Sequence, residues 1–264
     1  MTQTPQVPTT DPLLAGVRNF RDLGGLPAAD GRRVRPGVLF RSGHLARATE
    51  ADAAFLGSLG LHTVFDFRNA ADIAHQGADV PLPGVRHVNL PMSDQTDGDE
   101  FWRMVHQGSA EQLHALLSDG RAAARMTASY RSIITHRTAE HGGVLRALAD
   151  GDVPALMHCA AGKDRAGLAV AVTLLALGVP RDAVEADYLL SDAPHRRFPV
   201  RRATPLPPEA LELLTPLFAA RAEYLAEAFA TIDEGWGTVE RYLSEGLGFS
   251  PTDRERLRER LLTD

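Results

Sequence analysis

The chemistry of this chain centres on one cysteine and on an arginine that follows it after five intervening residues. The segment reads His158-Cys-Ala-Ala-Gly-Lys-Asp-Arg165, and Cys159 is the single cysteine among 264 residues. An apolar run, Val153–Met157, precedes it and another, Leu168–Leu177, follows it, which predicts a strand, a tight loop and a helix. Such a loop directs backbone N–H groups inward at a helix N-terminus, where they can hold an oxyanion such as phosphate.

The residue types in this loop fit covalent phosphoryl transfer. The positive field at a helix N-terminus favours the thiolate, so Cys159 is expected to be the nucleophile and Arg165 to bind two phosphate oxygens. An inert buried cysteine is the alternative, but three consecutive charges after an apolar strand are costly unless they face a polar site. The expected phosphate loop, residues 159–165, binds phosphate through Ala160, Ala161, Gly162, Lys163, Asp164 and Arg165.

Other short segments along the chain carry a second pattern. They are Asn19–Gly25 (NFRDLGG), Leu39–Ser42 (LFRS), Val64–Arg68 (VFDFR), Met126–Tyr130, Ala186–Leu189, Arg221–Leu225 and Thr231–Glu234. Together with the HCxxGKDR form of the cysteine loop, the chain resembles, over nearly its full length, the bacterial atypical protein tyrosine phosphatases of the mycobacterial protein tyrosine phosphatase B type. The resemblance implies an α/β phosphatase with a protein tyrosine phosphatase-like fold. It also implies action on phosphotyrosine, and often on phosphoserine, phosphothreonine and phosphoinositides.

Two aspartates compete for the role of general acid, which must protonate the leaving tyrosine or serine oxygen. Asp94 occupies the loop after a strand where the resemblance places this acid, and a flexible loop can reach the leaving oxygen from the side opposite the nucleophile. Asp164 lies in the phosphate loop itself and is expected to orient Arg165 or a neighbouring backbone group. We therefore predict that Asp94 is the general acid.

His158, Arg68 and Asp22 are expected to support the phosphate loop without acting in catalysis. For Arg68, Asp22 and the neighbouring Arg21, ordinary salt bridges are the alternative. For His158 we favour a hydrogen bond that fixes the loop, with electrostatic tuning of the thiolate as the alternative. Lys163 is either a sign of phosphoinositide use, as an extra loop lysine is in related phosphatases, or a surface lysine paired with Asp164. The spacing of histidine, cysteine and acidic residues matches no metal site, so neither a metal nor a cofactor is predicted.

The residue that follows Arg165 departs from a common pattern. Many C-x5-R phosphatases place serine or threonine there, where the hydroxyl can stabilise the departing thiolate in the second step of the reaction. This chain has Ala166. We therefore expect either slow hydrolysis of the phosphocysteine or a substitute donor from elsewhere in the fold.

Hydrophobic periodicity predicts the elements that must position this loop. Leu61–Phe67 and Val85–Leu90 are expected to be strands, residues 92–98 a polar loop, and Glu100–Leu117 and Arg121–Ala149 helices. Strands that alternate with helices indicate an α/β fold with a central, mostly parallel sheet flanked by helices. The phosphate loop is then expected at the C-terminal end of a strand.

The length of the chain suits one domain. We predict a flexible N-terminal arm, residues 1–12, followed by one phosphatase domain, residues 13–264. A helical lid insertion, within residues 99–150 or 194–234, is expected to lie over the pocket, where it would shield the thiolate and exclude water.

Charge and composition limit the partners of the protein. A net charge of −6 argues against nucleic acid as a partner and against a general attraction to anionic membranes. No apolar run approaches the ~20 residues of a membrane span, so no integral membrane association is expected. The single cysteine and the lack of a secretory signal predict a cytoplasmic protein, while secretion without a signal peptide and the oligomeric state stay open. The run His195–Arg202 is either a solvated linker or a basic rim for acidic peptides or inositol phosphates.

The sequence therefore predicts a cysteine-dependent phosphatase that hydrolyses phosphotyrosine monoesters through a phosphocysteine intermediate. Phosphoserine, phosphothreonine and phosphoinositide monoesters are further candidate substrates, so the expected partner is a phosphorylated protein or a phosphoinositide. The alternatives are a phosphoinositide-preferring lipid phosphatase and a catalytically silent phosphate-binding module. A third alternative is a sulfur-transfer or arsenate-reducing enzyme. The lack of a second cysteine weakens arsenate reduction, and the candidate general acid and the full-length resemblance weaken sulfur transfer.

Overall fold

A five-stranded sheet forms the centre of the computed structural model, which describes residues 14–199, 202 and 205–264. The predicted N-terminal arm, residues 1–12, lies outside the described residues. The strands are β1 (Arg21–Asp22), β2 (Arg33–Val34), β3 (Leu39–Ser42), β4 (Thr63–Asp66), β5 (Arg86–Asn89), β6 (Ala155–His158) and β7 (Leu262–Thr263). The order in the sheet is β1-β3-β6-β4-β5, with β1 antiparallel to β3 and the other neighbours parallel. β2 and β7 form a separate antiparallel pair.

Helices flank this sheet, so the predicted α/β fold with a mostly parallel sheet is confirmed. They are α1 (Glu50–Ser58), α2 (Ala70–Gln76), α3 (Gln95–Gln107), α4 (Ala110–Leu117), α5 (Arg121–His136), α6 (Thr138–Asp150), α7 (Arg165–Leu177), α8 (Arg181–Leu189), α9 (Pro208–Glu212), α10 (Thr215–Phe218), α11 (Ala222–Trp236), α12 (Val239–Arg241) and α13 (Pro251–Leu261). None of the helices in the described part of the chain combines the length and the apolar character needed to cross a membrane.

The two long helices predicted from the sequence are each divided. The first begins at Gln95, inside the predicted polar loop, and ends at Gln107, with Gly108 as its C-cap. Ser109 then starts α4 with a capping box, because its side chain accepts a hydrogen bond from the backbone of Gln112, whose side chain accepts one from the backbone of Ser109. This Ser-x-x-Gln pattern is a helix start signal that competes with continuation of the preceding helix. The second predicted helix divides at Arg137, whose backbone leaves the helical region (φ −113°, ψ 33°).

Apolar side chains cover both faces of the sheet. On one face Phe40, Val64 and Leu156 pack with Leu56 of α1. On the other face Met157 belongs to a larger cluster with side chains of α5, α6, α7, α11 and α13. Burial of both faces explains why the central strand β6 is largely a continuous apolar run in the sequence.

Three neighbouring parallel strands end at the same edge of the sheet. Ser42, Asp66 and His158 lie in register on β3, β4 and β6. The segments that follow these strands therefore meet at one edge, which is the usual ligand position in an open α/β sheet. The phosphate loop follows β6 at this edge and leads directly into α7.

Candidate active site

The backbone of the phosphate loop depends on one glycine. Gly162 has a positive φ of 71°, and a Cβ at this position would lie 2.2 Å from the carbonyl oxygen of Ser42. Only glycine avoids both the strained backbone and this collision. The loop can therefore pass close to the end of β3 before α7 begins at Arg165.

Two buried side chains hold carbonyl oxygens of the loop. The Asn19 side-chain amide donates to the carbonyl of Gly162 (3.0 Å) and to that of Ala161 (3.3 Å). The Arg41 guanidinium donates to the carbonyl of Gly162 (2.8 Å). A planar trans peptide directs its N–H away from its carbonyl, so these contacts turn the N–H groups of the same peptides toward the other side of the loop. Sequence reasoning gave no role to Asn19 or Arg41, although a charged residue within an apolar strand was a signal for Arg41.

Asp187 of α8 fixes the arginine that holds the loop. Its carboxylate accepts hydrogen bonds from Arg41 (2.7 Å) and from Arg21 (2.7 Å), and all three side chains are buried. Arg21 also donates to the side-chain oxygen of Asn19. Burial raises the pKa of Asp187, but the charges and hydrogen bonds of the two arginines more than offset this and leave a pKa of about 2. The sequence contained no local sign of this pairing.

Behind the loop, His158 belongs to a buried network of charges. Its Nε2 lies 2.8 Å from a carboxylate oxygen of Asp79. Arg68 donates to Asp79 (2.9 Å) and to both carboxylate oxygens of Asp66. Burial raises the pKa of Asp79, but its contact with His158 and the charge of Arg68 outweigh burial and leave a pKa of about 2. His158 and Arg68 therefore meet at Asp79, which sequence reasoning missed.

The same network brings together three possible metal ligands that the spacing of residues in the sequence did not reveal. One ligand atom each from His158, Asp66 and Asp79 lies within 4.8 Å of the others, as in a metal site. The guanidinium of Arg68, however, already supplies positive charge to both carboxylates. These side chains therefore form a buried network of ion pairs with Arg68, which fits a structural role.

Asp22 does not lie against the phosphate loop. Its exposed carboxylate accepts hydrogen bonds from the backbone N–H of Gly24 (2.8 Å) and of Gly37 (2.7 Å). This side chain holds a turn next to β3, because a short carboxylate readily satisfies nearby turn amides. The neighbouring Arg21, and not Asp22, reaches the residues that support the loop.

Lys163 and Asp164 form a pair inside the protein. Lys163 is 3% exposed, so it is not a surface lysine. Its ammonium donates to Asp164 (2.6 Å) and to the carbonyl of Ala219 (3.0 Å). The Tyr130 hydroxyl donates to the same oxygen of Asp164 (2.7 Å) and lies 2.7 Å from the hydroxyl of Tyr188. Asp164 is thus held by Lys163 and Tyr130, and no hydrogen bond among the described residues joins its carboxylate to the Arg165 guanidinium.

The guanidinium of Arg165 is held by α2. It donates to the carboxylate of Asp72 and to the hydroxyl of Ser93 (3.1 Å). Burial raises the pKa of Asp72, but the charge and hydrogen bond of Arg165 outweigh burial and lower it. Asp72 also accepts a hydrogen bond from the indole N–H of Trp102 (2.8 Å). Sequence reasoning missed Asp72, which lies well before the phosphate loop in the chain.

Cys159 lies beneath a group of four aromatic side chains. It is 2% exposed and lines a cavity of about 50 Å³. The aromatic cover consists of Phe101 and Trp102 of α3 together with Phe198 and Phe218, which all line this cavity. Phe218 stacks on Phe198 at 6.2 Å between ring centroids and contacts Phe101 at 6.0 Å. Side chains from both predicted lid segments therefore cover the cysteine.

The two candidate acids differ in their position relative to this cavity. Asp164 lines both the Cys159 cavity and a larger, open pocket of about 530 Å³. Asp94 lines only the larger pocket. Its carboxylate is 72% exposed and pairs with Arg137. The structure thus brings Cys159, Arg165 and Asp164 together and leaves Asp94 at the pocket mouth.

Comparisons with known proteins agree with this arrangement. Residues 12–263 match a family model described as the tyrosine phosphatase family. The chain is 36% identical to the triple specificity protein phosphatase PtpB of Mycobacterium tuberculosis, and the match covers 94% of this chain and 98% of that protein. It is also 36% identical to a Cupriavidus necator protein provisionally named as a tyrosine-protein phosphatase, over 88% of this chain and 82% of that protein.

Proposed function

The chain belongs to the tyrosine phosphatase family and is a cysteine-dependent phosphatase, and from this premise we propose that it hydrolyses phosphotyrosine monoesters through a phosphocysteine on Cys159. The supporting observation is that Cys159 and Arg165 line one enclosed cavity, while Asn19 and Arg41 hold loop carbonyls from outside. Backbone N–H groups and the guanidinium are then available to one phosphate group, which is the combination that an oxyanion needs.

In the first step, the thiolate of Cys159 attacks phosphorus in line with the bond to the leaving oxygen. The sulfur–phosphorus bond forms and the phosphorus–oxygen bond breaks. The electron pair of the broken bond stays on the leaving oxygen, which takes a proton from the general acid. Arg165 and the loop amides stabilise the charge on the three equatorial oxygens.

For the general acid, the closed pocket favours Asp164 over the Asp94 that sequence reasoning preferred. Asp164 lines the cavity of Cys159 and is fixed by Tyr130 and Lys163. Asp94 would have to leave Arg137 and move inward before it could reach a leaving oxygen. Because a general acid must come within hydrogen-bond distance of the oxygen that it protonates, we take Asp164 as the acid in this closed form and keep Asp94 as the alternative.

In the second step, a water molecule attacks the phosphocysteine. The general acid, now a carboxylate, accepts a proton from this water, the sulfur–phosphorus bond breaks, and inorganic phosphate leaves. The departing thiolate receives no hydroxyl hydrogen bond from position 166, because this residue is Ala166 and it is fully buried. We therefore expect the second step to limit the rate.

A substrate can reach Cys159 only if the aromatic cover moves. The cavity of about 50 Å³ is far smaller than the ~300–1,000 Å³ of typical ligand pockets. We therefore assign the lid role to α3, within residues 99–150, and to the segment that carries Phe198 and Phe218, within residues 194–234. Such a lid would open to admit a phosphotyrosine and close to exclude water.

A phosphorylated protein is the proposed partner. The net charge of −6 disfavours a strongly anionic membrane surface as the main substrate. Phosphoserine and phosphoinositide monoesters are proposed as slower substrates, in keeping with the triple specificity that the name of the Mycobacterium tuberculosis relative ascribes to that protein. A single cysteine with a catalytic role fits a reducing compartment, and we propose the cytoplasm.

Phosphate release from three substrates tests this function. A phosphotyrosine peptide, a phosphoserine peptide and a phosphatidylinositol monophosphate are compared in EDTA, with wild type and Cys159→Ser side by side. We expect the highest kcat/KM for the phosphotyrosine peptide, full activity in EDTA, and no release by Cys159→Ser. Trapping of ³²P-phosphate on wild type, but not on Cys159→Ser, should show the covalent intermediate.

Two outcomes would contradict the proposal. A higher kcat/KM for the lipid than for either peptide would make the protein a phosphoinositide phosphatase. A lack of release from all three substrates, with vanadate still bound by both forms, would identify a silent phosphate-binding module.

A further inference from the structure

A second cavity lies beside the one that holds Cys159. It has a volume of about 140 Å³ and shares Ala160, Trp102 and Phe198 with the Cys159 cavity. We name it the basic pocket after Arg18 and Arg47, which line it together with His44 and Gln76 among others. Because Ala160 is part of the phosphate loop, a group bound here would lie next to a phosphate held by that loop.

The charge of this pocket is opposite to that of the whole chain. The chain has a net charge of −6, yet no aspartate or glutamate in the described part of the chain lines the pocket. Within that same part, neither Arg18 nor Arg47 forms an ion pair with a carboxylate, and Arg18 donates to the backbone carbonyl of His195 (3.3 Å). A concave surface lined by cations of one sign attracts anions and raises their local concentration.

Two side chains that line the pocket have polar atoms without a partner. His44 is 8% exposed, and its Nδ1 lacks a hydrogen-bond partner among the described residues. The same is true of the amide nitrogen and oxygen of Gln76. Buried polar atoms nearly always have a partner, so these atoms mark a place where a polar group belongs. Burial and the charge of Arg68 lower the pKa of His44 to about 4, so its ring is neutral and carries one N–H.

We propose that the basic pocket binds a second phosphate group of a phosphopeptide whose phosphotyrosine occupies the Cys159 cavity. This rests on the proposed function and adds a substrate preference to it. Arg18 and Arg47 supply charge, while His44 and Gln76 supply neutral donors, which together suit the several oxygens of a phosphate. A peptide fits better than a bilayer lipid, because a protein with a net charge of −6 is repelled by an anionic surface.

The experiment compares phosphotyrosine peptides that differ in one neighbouring residue. A non-hydrolysable phosphonate analogue of phosphoserine is placed at each position within about three residues of the phosphotyrosine, a reach of ~10 Å in an extended chain. Alanine at the same position gives the reference peptide. At one or more positions we expect the phosphonate to raise kcat/KM about tenfold. A hydrogen bond to a charged group changes affinity by about this factor. In the double variant Arg18→Gln/Arg47→Gln, the two peptides should have nearly equal kcat/KM.

The matched control removes two arginines elsewhere. Arg33 and Arg86 are exposed and lie on β2 and β5, so Arg33→Gln/Arg86→Gln changes the net charge equally and should keep the tenfold ratio. The proposal would be overturned if the phosphonate raised kcat/KM at no position. It would also be overturned if the phosphonate and alanine peptides gave the same kcat/KM ratio in both double variants. An increase for soluble inositol bisphosphate over inositol monophosphate, with none for any peptide, would overturn the choice of a peptide.

Binding separates this inference from the proposed function. Titration calorimetry measures the affinity of Cys159→Ser for the same peptides. Because this variant does not turn over, the effect of the phosphonate on binding is measured alone. A tenfold tighter binding that depends on Arg18 and Arg47 would support the basic pocket even if no peptide is hydrolysed, in which case only the proposed function fails. Equal affinities for the two peptides would refute the basic pocket even if both are hydrolysed.

Discussion

The buried Asp72 and the partly buried Arg165 form an ion pair that joins α2 to the phosphate loop. The second oxygen of the same carboxylate accepts the indole N–H of Trp102, which belongs to α3 and to the aromatic cover. One carboxylate therefore contacts both the arginine expected to bind phosphate and a side chain of the proposed lid. We therefore expect opening of the cover and orientation of Arg165 to be coupled through Asp72.

Trp102→Phe should make Cys159 more accessible. The substitution keeps an aromatic ring in the cover but removes the hydrogen bond to Asp72, which, as a bond to a charged group, is worth about 1.5–3 kcal/mol. We expect alkylation of Cys159 by iodoacetamide to become about tenfold faster. Trp236→Phe is the control, because the other tryptophan packs on Tyr242 (4.8 Å between ring centroids). Equal alkylation rates in the two variants would show that the indole does not hold the cover.

Asp164→Asn should reduce kcat/KM on a phosphotyrosine peptide by about 10²–10³-fold, because kcat/KM reports the first step, in which the leaving oxygen loses its proton donor. The loss should be much smaller on p-nitrophenyl phosphate, whose leaving group needs little protonation. Steady-state kinetics with both substrates gives this comparison. Asp94→Asn is the matched variant, and we expect it to lose less than about tenfold on either substrate. If Asp94→Asn loses more activity on the peptide than Asp164→Asn does, Asp94 is the general acid.

Asp187→Asn should lower stability in a pH-dependent way. In the folded protein the pKa of Asp187 is about 2, below its ordinary value of 3.8. A depressed folded pKa stabilises the protein above the unfolded value, and this stabilisation is lost as pH falls from about 4 through about 2. Asp187→Asn leaves Arg21 and Arg41 buried without a charge partner, so we expect a loss of about 3–5 kcal/mol at pH 7 in urea unfolding.

The difference between Asp187→Asn and wild type should shrink when the same urea titration is repeated near pH 3. Asp233→Asn serves as the control, because Asp233 forms an exposed ion pair with Arg181 and should cost less than about 1 kcal/mol. An unchanged free energy of unfolding for Asp187→Asn at pH 7 would mean that the buried arginines find other partners.

Ala166→Thr should speed hydrolysis of the phosphocysteine. The added hydroxyl can donate to the departing thiolate, so we expect phosphoenzyme breakdown in rapid-quench experiments to rise several-fold. Ala166→Val has nearly the same shape without the hydroxyl, and it controls for crowding at this buried position. If breakdown is equally fast in the threonine and valine variants, the hydroxyl has no role in the second step.

The sequence contained enough information for the sheet and for the phosphate loop. Continuous apolar runs identified β4 and β6, and the spacing of Cys159 and Arg165 identified the loop, because both signals are local. Helix boundaries were less accurate, because capping by Ser109 divides a stretch that is helical in composition throughout.

The residues around the phosphate loop were harder to predict, since their partners are distant in sequence. Asn19 and Arg41 contact Gly162 across more than one hundred positions, and Asp187 contacts Arg41 across a similar distance. A single sequence gives no sign of such pairs. Lys163 was expected either to mark phosphoinositide use or to lie on the surface, and its burial depends on the carbonyl of Ala219, which only the folded chain brings near.

Two consecutive residues of α8 reach different supports of the phosphate loop. Asp187 holds the arginines behind the loop, and Tyr188 contacts Tyr130, which holds Asp164. A single-residue insertion earlier in α8 would rotate both side chains by ~100° about the helix axis. In evolutionary terms, α8 should therefore tolerate substitution at its exposed positions but not a change in length. Insertions that distinguish relatives should instead collect at junctions such as the one between α3 and α4.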